Sequence, residues 1–196
     1  MKKILFILCV CMINIFLVSC TEKEPQKPLE SKNASLGEDG YTYKITVGKM
    51  QFSWKILDKN ISVQLKGETS GWIGIGFNPT EGMKDANFIM GYVKDGTATL
   101  SSQYGISKML HKGSTDIGGK DYILNPSGSF KDKVTEIKFE YPLSTGDKLD
   151  RPIKVNEDTT VLLAYGSTTM LSHQHMSRSK LVVNLSNGKY SLLVSN

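Results

Sequence analysis

The feature that most limits the fold of this chain is a succession of short runs in which apolar and polar residues alternate. These runs begin after Gly40, and turn residues separate most of them. Alternation with a period of two is typical of strands with one buried face, and no window carries a long amphipathic helix. Many short strands at this spacing predict an all-β fold, specifically an antiparallel, immunoglobulin-like β-sandwich. The predicted strands are Tyr41–Val47, Met50–Leu57, Ile61–Gly67, Gly71–Phe77, Asn87–Val93, Gly96–Ser102, Asp121–Leu124, Val134–Tyr141, Thr159–Gly166, Lys180–Leu185 and Tyr190–Val194.

Residues 1–19 have the composition of a secretory signal peptide. Two lysines follow the initiator methionine, and Ile4–Val18 is almost wholly apolar but too short for a stable membrane span. The run ends in Leu-Val-Ser-Cys, which resembles the lipobox of bacterial lipoproteins. That resemblance implies that Cys20 is acylated, for example with palmitate, and becomes the new N-terminus. The alternative is an ordinary signal peptide cut near Ser19. We expect an extracytoplasmic protein that is lipid-anchored to a bacterial membrane.

The segment after the leader divides into a tether and a domain. Residues 20–39 are rich in Glu, Lys, Pro, Ser and Asn and carry few large apolar side chains, so we expect a flexible tether there and a sandwich over 40–196.

Cys9 and Cys11 leave with the leader, which makes Cys20 the last remaining cysteine. The mature domain therefore has no disulfide, no thiolate metal site and no cysteine nucleophile.

The charge balance excludes nucleic acid as a partner. Removal of the two leader lysines takes the formal charge of the chain from +5 to +3. No basic run is present that would follow a phosphate backbone.

The common catalytic motifs are missing from the sequence. It contains no G-x-S-x-G, no H-E-x-x-H and no Walker loop. Asp147 and Asp150 are close enough in sequence to act as an acid–base pair, but a charged turn after a strand is the simpler interpretation. We therefore expect no enzymatic activity from this chain by itself.

The histidines give a weaker indication of a metal site. His173 and His175 flank Gln174, so on a strand both would face the same side. Such a pair can chelate zinc or copper, but no third ligand lies close in sequence.

One longer stretch resembles a known family. The sequence of Gly71–Val93 is GWIGIGFNPTEGMKDANFIMGYV, and it resembles the core motif of the DOMON family, which includes the cytochrome part of cellobiose dehydrogenase and the N-terminal domain of dopamine β-monooxygenase. The resemblance extends over Gly40–Leu185 through VTEIKFEYPLSTGDKLDRPI and TTVLLAYGSTTMLSHQHMSRSKLVVNL, although Tyr141 stands where an Arg is common. It implies a β-sandwich that binds haem b or a sugar.

The resemblance also implies which residues would hold a haem. In haem-binding members one axial ligand is the methionine after the Asn-Pro loop, which corresponds to Met83. The other is the histidine before the last strand, which corresponds to His175 or His173; the spacing to Arg178 favours His175. A thioether and a neutral imidazole give six-coordinate iron with no open position, and such iron passes single electrons. A redox protein would then be the partner.

Two other functions stay open at this point. The chain is alternatively a haem-free module that binds a carbohydrate or small ligand, or a structural surface lipoprotein. Trp54 and Trp72 can stack on a sugar ring, although the alternation places both in the core.

Overall fold

The structure is a computed structural model, and it describes residues 30–195. Within this range it contains no α-helix, one short 3₁₀ helix over Thr115–Ile117 and fourteen β-strands. The strands are β1 (Lys32–Asn33), β2 (Ser35–Leu36), β3 (Tyr43–Val47), β4 (Met50–Leu57), β5 (Asn60–Gly67), β6 (Ile73–Phe77), β7 (Asn87–Lys94), β8 (Thr97–Gly105), β9 (His111–Gly113), β10 (Leu124–Lys131), β11 (Val134–Pro142), β12 (Asp158–Tyr165), β13 (Ser177–Asn184) and β14 (Lys189–Ser195).

The strands form two antiparallel sheets, as the alternating pattern predicts. The larger sheet has the order β1-β14-β13-β12-β6-β7-β8-β9, and the smaller has the order β10-β11-β5-β4-β3-β2. The all-β sandwich prediction is therefore confirmed. No helix in residues 30–195 has the length and apolarity needed to cross a membrane.

The main core fills the space between the two sheets. Trp54 and Phe52 of β4 stack at 4.6 Å, and both are fully buried. The Trp54 indole Nε1 donates a hydrogen bond of 2.9 Å to the carbonyl oxygen of Leu185, at the end of the facing sheet. A buried indole without this acceptor would cost the desolvation of its N–H group, so the bond fixes one sheet against the other. The prediction that Trp54 lies in the core is confirmed.

The predicted signal peptide, Cys20 and the first ten residues of the predicted tether lie outside the described residues. Sheet pairing begins at Lys32, inside the segment predicted as a tether. There β1 pairs with β14 and β2 pairs with β3, over two residues each. Each of these strands has only two residues, which is too few for an alternation of apolar and polar residues to be visible in the sequence.

Candidate functional site

A second apolar cluster lies on the outer face of the larger sheet. Ile73 and Ile75 of β6 and Ile89 of β7 belong to the core between the sheets. Because successive side chains of a strand point to opposite faces, Phe88 and Met90 of β7 lie on the outer face. There they pack with Trp72, and the cluster forms part of the wall of a cavity of about 560 Å³. Cavities of this size hold small molecules and cofactors. The prediction that Trp72 is buried is correct, but it belongs to this outer cluster and not to the core between the sheets.

Two glycines of β6 make this wall close-packed. Gly76 pairs directly with Phe88, and Gly74 pairs directly with Met90. A Cβ atom on Gly76 would lie 2.3 Å from Phe88 Cε1, and one on Gly74 would lie 2.9 Å from Met90 Cγ. The large side chains of β7 therefore lie flat across the glycines of β6. Glycine at these positions, which elsewhere weakens a strand, leaves room for Phe88 and Met90, both of which line the cavity.

We expect the substitution Gly76→Ala to lower the free energy of unfolding by about 1–3 kcal/mol, since Phe88 must leave its position to accommodate the methyl group. Urea unfolding measures the loss. The double variant Gly76→Ala/Phe88→Leu is the control, because a smaller side chain opposite the new methyl group should recover part of the loss. Equal stability of Gly76→Ala and the original chain would show that Phe88 is not held over Gly76.

Met83 lies in the loop 78–86 between β6 and β7, at the rim of the cavity. Backbone hydrogen bonds hold this loop against the turn between β8 and β9. Met83 N donates to the carbonyl oxygen of Lys108 at 3.0 Å, and Asp85 N donates to that of Gly105 at 2.7 Å. The loop also closes on itself, since Thr80 Oγ1 donates to Asp85 Oδ2 at 2.6 Å. These bonds fix the backbone of Met83 at the cavity.

His173 and His175 lie in the loop 166–176 between β12 and β13, not on a strand. Both nevertheless line the same cavity as Met83. His173 is exposed, and its Nδ1 lies 3.3 Å from Thr168 Oγ1. His175 is half-buried, and burial together with the positive charge of Arg178 lowers the pKa of its imidazole. The neutral imidazole, which is the form that binds metals, is therefore favoured at His175.

His111 also lines the cavity, and sequence reasoning did not single it out. Its ring lies 5.7 Å from that of Phe88, and its Nδ1 lies 3.1 Å from Gln103 Oε1. Burial lowers the pKa of this imidazole as well. The sequence carries no motif around His111, because its role depends on pairing between β8 and β9.

The charged side chains that line the cavity are all basic. They are Lys108, Arg178 and Lys180, and none of the described lining residues is an aspartate or glutamate. Lys108 is neutralised in part by Glu81, whose Oε1 lies 2.5 Å from its Nζ. The remaining charge favours a ligand with an apolar body and an acidic edge.

Asp147 and Asp150 organise a turn away from this cavity. Asp150 Oδ2 accepts hydrogen bonds from Ser144 Oγ at 2.9 Å and from the backbone N–H of Thr145 at 2.8 Å. Asp147 Oδ1 accepts one from Leu149 N at 3.0 Å, and backbone bonding lowers the pKa of this carboxyl. Such bonds are typical of a side chain that stabilises a turn. Residues 30–195 contain no group of three or more His, Cys, Asp or Glu side chains placed to hold a metal ion.

Solved structures share this architecture. The cytochrome b domain of pyranose dehydrogenase from Coprinopsis cinerea matches with a TM-score of 0.50 and 14% identity, over 67% of this chain and 74% of that one. The cytochrome domain of Myriococcum thermophilum cellobiose dehydrogenase matches with a TM-score of 0.51 and 12% identity, over 85% of this chain and 83% of that one. At these identities the similarity shows the fold alone.

The sequence itself identifies the family. Residues 46–166 match the DOMON domain, a stretch that includes β4 to β12, the loop of Met83 and most of the cavity floor. This match spans more than half of the chain. The chain therefore belongs to the DOMON domain family.

Proposed function

We propose that this chain binds one haem b in the cavity on the outer face of the larger sheet and transfers single electrons. The observation that carries the proposal is that Met83 and His175, ninety-two residues apart in sequence, line one cavity with an apolar floor. The similarity of the fold to two cytochrome domains gives further support.

The residues around the cavity fit a haem. Phe88 and Met90, which pack over Gly76 and Gly74, give the cavity an apolar surface of the kind a macrocycle needs. A thioether and an imidazole are the donor pair of electron-transferring cytochromes. Arg178 and Lys180 supply the positive charge that the two carboxylates of the macrocycle require.

Each protein group has a definite task in this proposal. When bound, haem b supplies a one-electron iron couple. Met83 would bind the iron with a polarisable sulfur that favours the reduced state, and His175 would bind it with a neutral nitrogen. With Met83 and His175 both holding the iron, no ligand position would be left for a substrate. We accordingly propose an electron carrier without enzymatic activity of its own.

His175 is preferred to His173 as the second ligand because it is the more buried of the two, and its lowered pKa keeps the nitrogen free of a proton. The nearby cation Arg178 contributes to this effect.

The proposed location follows from the sequence of the leader. Acylation of Cys20 would tether the domain to the outside of a bacterial membrane, where a second redox protein is the expected partner. Labelling with a fatty acid analogue tests the anchor, and Cys20→Ala should abolish the label.

Absorption spectra test the haem. The purified chain with added haemin should give a sharp Soret band, and reduction should resolve the α and β bands. A colourless protein that is stabilised by an oligosaccharide would instead favour the alternative of a haem-free carbohydrate-binding module. The tryptophans weigh against that alternative, because Trp54 is fully buried and Trp72, although it lines the cavity, is only 4% exposed.

Met83→Ala should convert the haem-loaded chain from a low-spin to a high-spin spectrum, because the iron would lose one of the two protein groups that would hold it. Electron paramagnetic resonance of the oxidised protein measures the change. Met170→Leu is the control, since Met170 is exposed and outside the cavity lining. An unchanged low-spin signal in Met83→Ala would remove Met83 from the ligand set.

A further inference from the structure

Within residues 30–195, most of the histidine and methionine side chains line one cavity. All three histidines line it, and so do Met83, Met90 and Met109. Among the methionines of residues 30–195, only Met50 belongs to the core between the sheets. Met109 is 80% exposed, so packing does not explain its thioether. This distribution calls for a reason beyond burial of apolar surface.

Three of these donors, Met83, Met109 and His111, come from two neighbouring segments of the cavity lining. The hydrogen bond of 3.0 Å from Met83 N to the carbonyl oxygen of Lys108 holds Met83 beside the residue that precedes Met109. His111 follows two residues later, at the start of β9, and lines the cavity with both methionines. Two thioethers and one imidazole of the cavity lining therefore come from two segments that are hydrogen-bonded to each other. His173 and His175 belong to a different loop.

The imidazole of His111 is oriented as a metal ligand. Gln103 Nε2 donates a hydrogen bond of 2.8 Å to Ser101 Oγ, which turns Gln103 Oε1 toward the ring. Because Oε1 can only accept, His111 Nδ1 carries the hydrogen and donates across 3.1 Å, which leaves the lone pair of Nε2 free. A hydrogen bond from the far nitrogen is the arrangement that fixes ligating histidines in metal sites.

We propose that Met83, Met109 and His111 bind Cu(I) in the haem-free chain. Thioethers select this soft ion, whereas calcium and magnesium require oxygen ligands and zinc takes thiolate, imidazole or carboxylate ligands, of which the three donors include a single imidazole. All three donors are neutral, so they offset the charge of a monovalent ion more fully than that of a divalent one. Binding involves no electron transfer and releases no proton, since Nε2 is already unprotonated.

The copper proposal is separable from the haem proposal although both use Met83. Met109 and His111 belong to the copper site alone, and His175 belongs to the haem site alone. A failure to bind haem would therefore leave the copper prediction standing, and the reverse also holds.

Anaerobic titration of the haem-free full chain with Cu(I), in competition with the chromophoric chelator bicinchoninate, tests the proposal once the thiols of Cys9, Cys11 and Cys20 have been alkylated, because free thiolates would also bind this ion. The original chain should withdraw one equivalent of Cu(I) from the chelator. Met109→Leu and His111→Gln should each weaken the affinity at least tenfold, which we expect because each removes one of three ligands. Met109 is so exposed that its replacement cannot unfold the chain, and thermal melting confirms that His111→Gln remains folded. Met176→Leu, an exposed methionine outside the cavity lining, is the matched control and should bind as the original chain does.

His175→Ala separates the two sites in the same experiment, because it should keep the copper affinity while it loses haem. The proposal is overturned if the chain takes no Cu(I) from the chelator, or if Met109→Leu and His111→Gln bind as tightly as the original. It is equally overturned if His175→Ala loses copper along with haem, because the copper would then lie on the haem ligands.

Discussion

Gly105→Ala is expected to lower the free energy of unfolding by about 3 kcal/mol and to release the Met83 loop from the β8–β9 turn. A Cβ atom on Gly105 would lie 1.7 Å from the carbonyl oxygen of Met83 and 3.2 Å from Ala86 N. Both of these are backbone atoms, which cannot rotate away as a side chain can. The hydrogen bonds from Asp85 N to Gly105 O at 2.7 Å and from Gly105 N to Ala86 O at 3.0 Å draw the two segments together at this point. The methyl group must break them.

The matched control is Gly96→Ala in the turn between β7 and β8. Gly96 has a φ of 76° and no atom near its missing Cβ, so its replacement tests backbone strain without a collision. We expect a loss of about 1–2 kcal/mol there. Urea unfolding compares the two variants. With haem added, Gly105→Ala should also lose the low-spin spectrum while Gly96→Ala keeps it. If the two variants were equally stable and equally low-spin, the close contact at Gly105 would not position Met83.

Alternation in the sequence predicted the interior strands well. β4 has the predicted bounds, and β11 extends only one residue beyond its prediction. Both strands bury one face against the opposite sheet, so every second residue is apolar. Where burial imposes a period of two, the period can be read in one sequence.

The edge strands carry no such signal. The prediction for the region of β10 was Asp121–Leu124, and the strand instead covers Leu124–Lys131. Almost all of its residues are exposed, and it contains a proline and a glycine. An edge strand pairs with one neighbour and buries few side chains, so its sequence needs neither strong strand propensity nor an alternation of apolar and polar residues. β9 was missed for the same reason, although it brings His111 to the cavity.

The candidate site was predicted in part, through the resemblance to the DOMON family. Met83, His173 and His175 were named in that way, and all three line one cavity. Both histidines lie in a loop, so the alternation that would have placed them on one side of a strand does not apply to them. Met83 is hydrogen-bonded to Lys108 and closely approaches Gly105. Both contacts join segments more than twenty residues apart, so the spacing of residues along the chain cannot reveal them.

His175→Ala should abolish haem retention, whereas His173→Ala should retain the cofactor. The two imidazoles differ in environment, although one residue separates them in sequence. His175 is half-buried, and its pKa is lowered by burial and by Arg178, so a proton competes weakly for its nitrogen. His173 is exposed, and Thr168 Oγ1 lies 3.3 Å from its Nδ1. A ligand that is partly removed from water loses less hydration when it binds iron, which favours His175.

The measurement is the ratio of Soret to protein absorbance after gel filtration of each variant loaded with haemin. His175→Ala should fall to the value of unbound protein, and added imidazole should restore part of the Soret band, because the free base can enter the space left by the side chain. Rescue by imidazole separates loss of a ligand from loss of fold, since an unfolded variant has no cavity to refill. If His173→Ala lost haem and His175→Ala kept it, the iron ligand would be the exposed histidine, and its contact with Thr168 would then orient the ring.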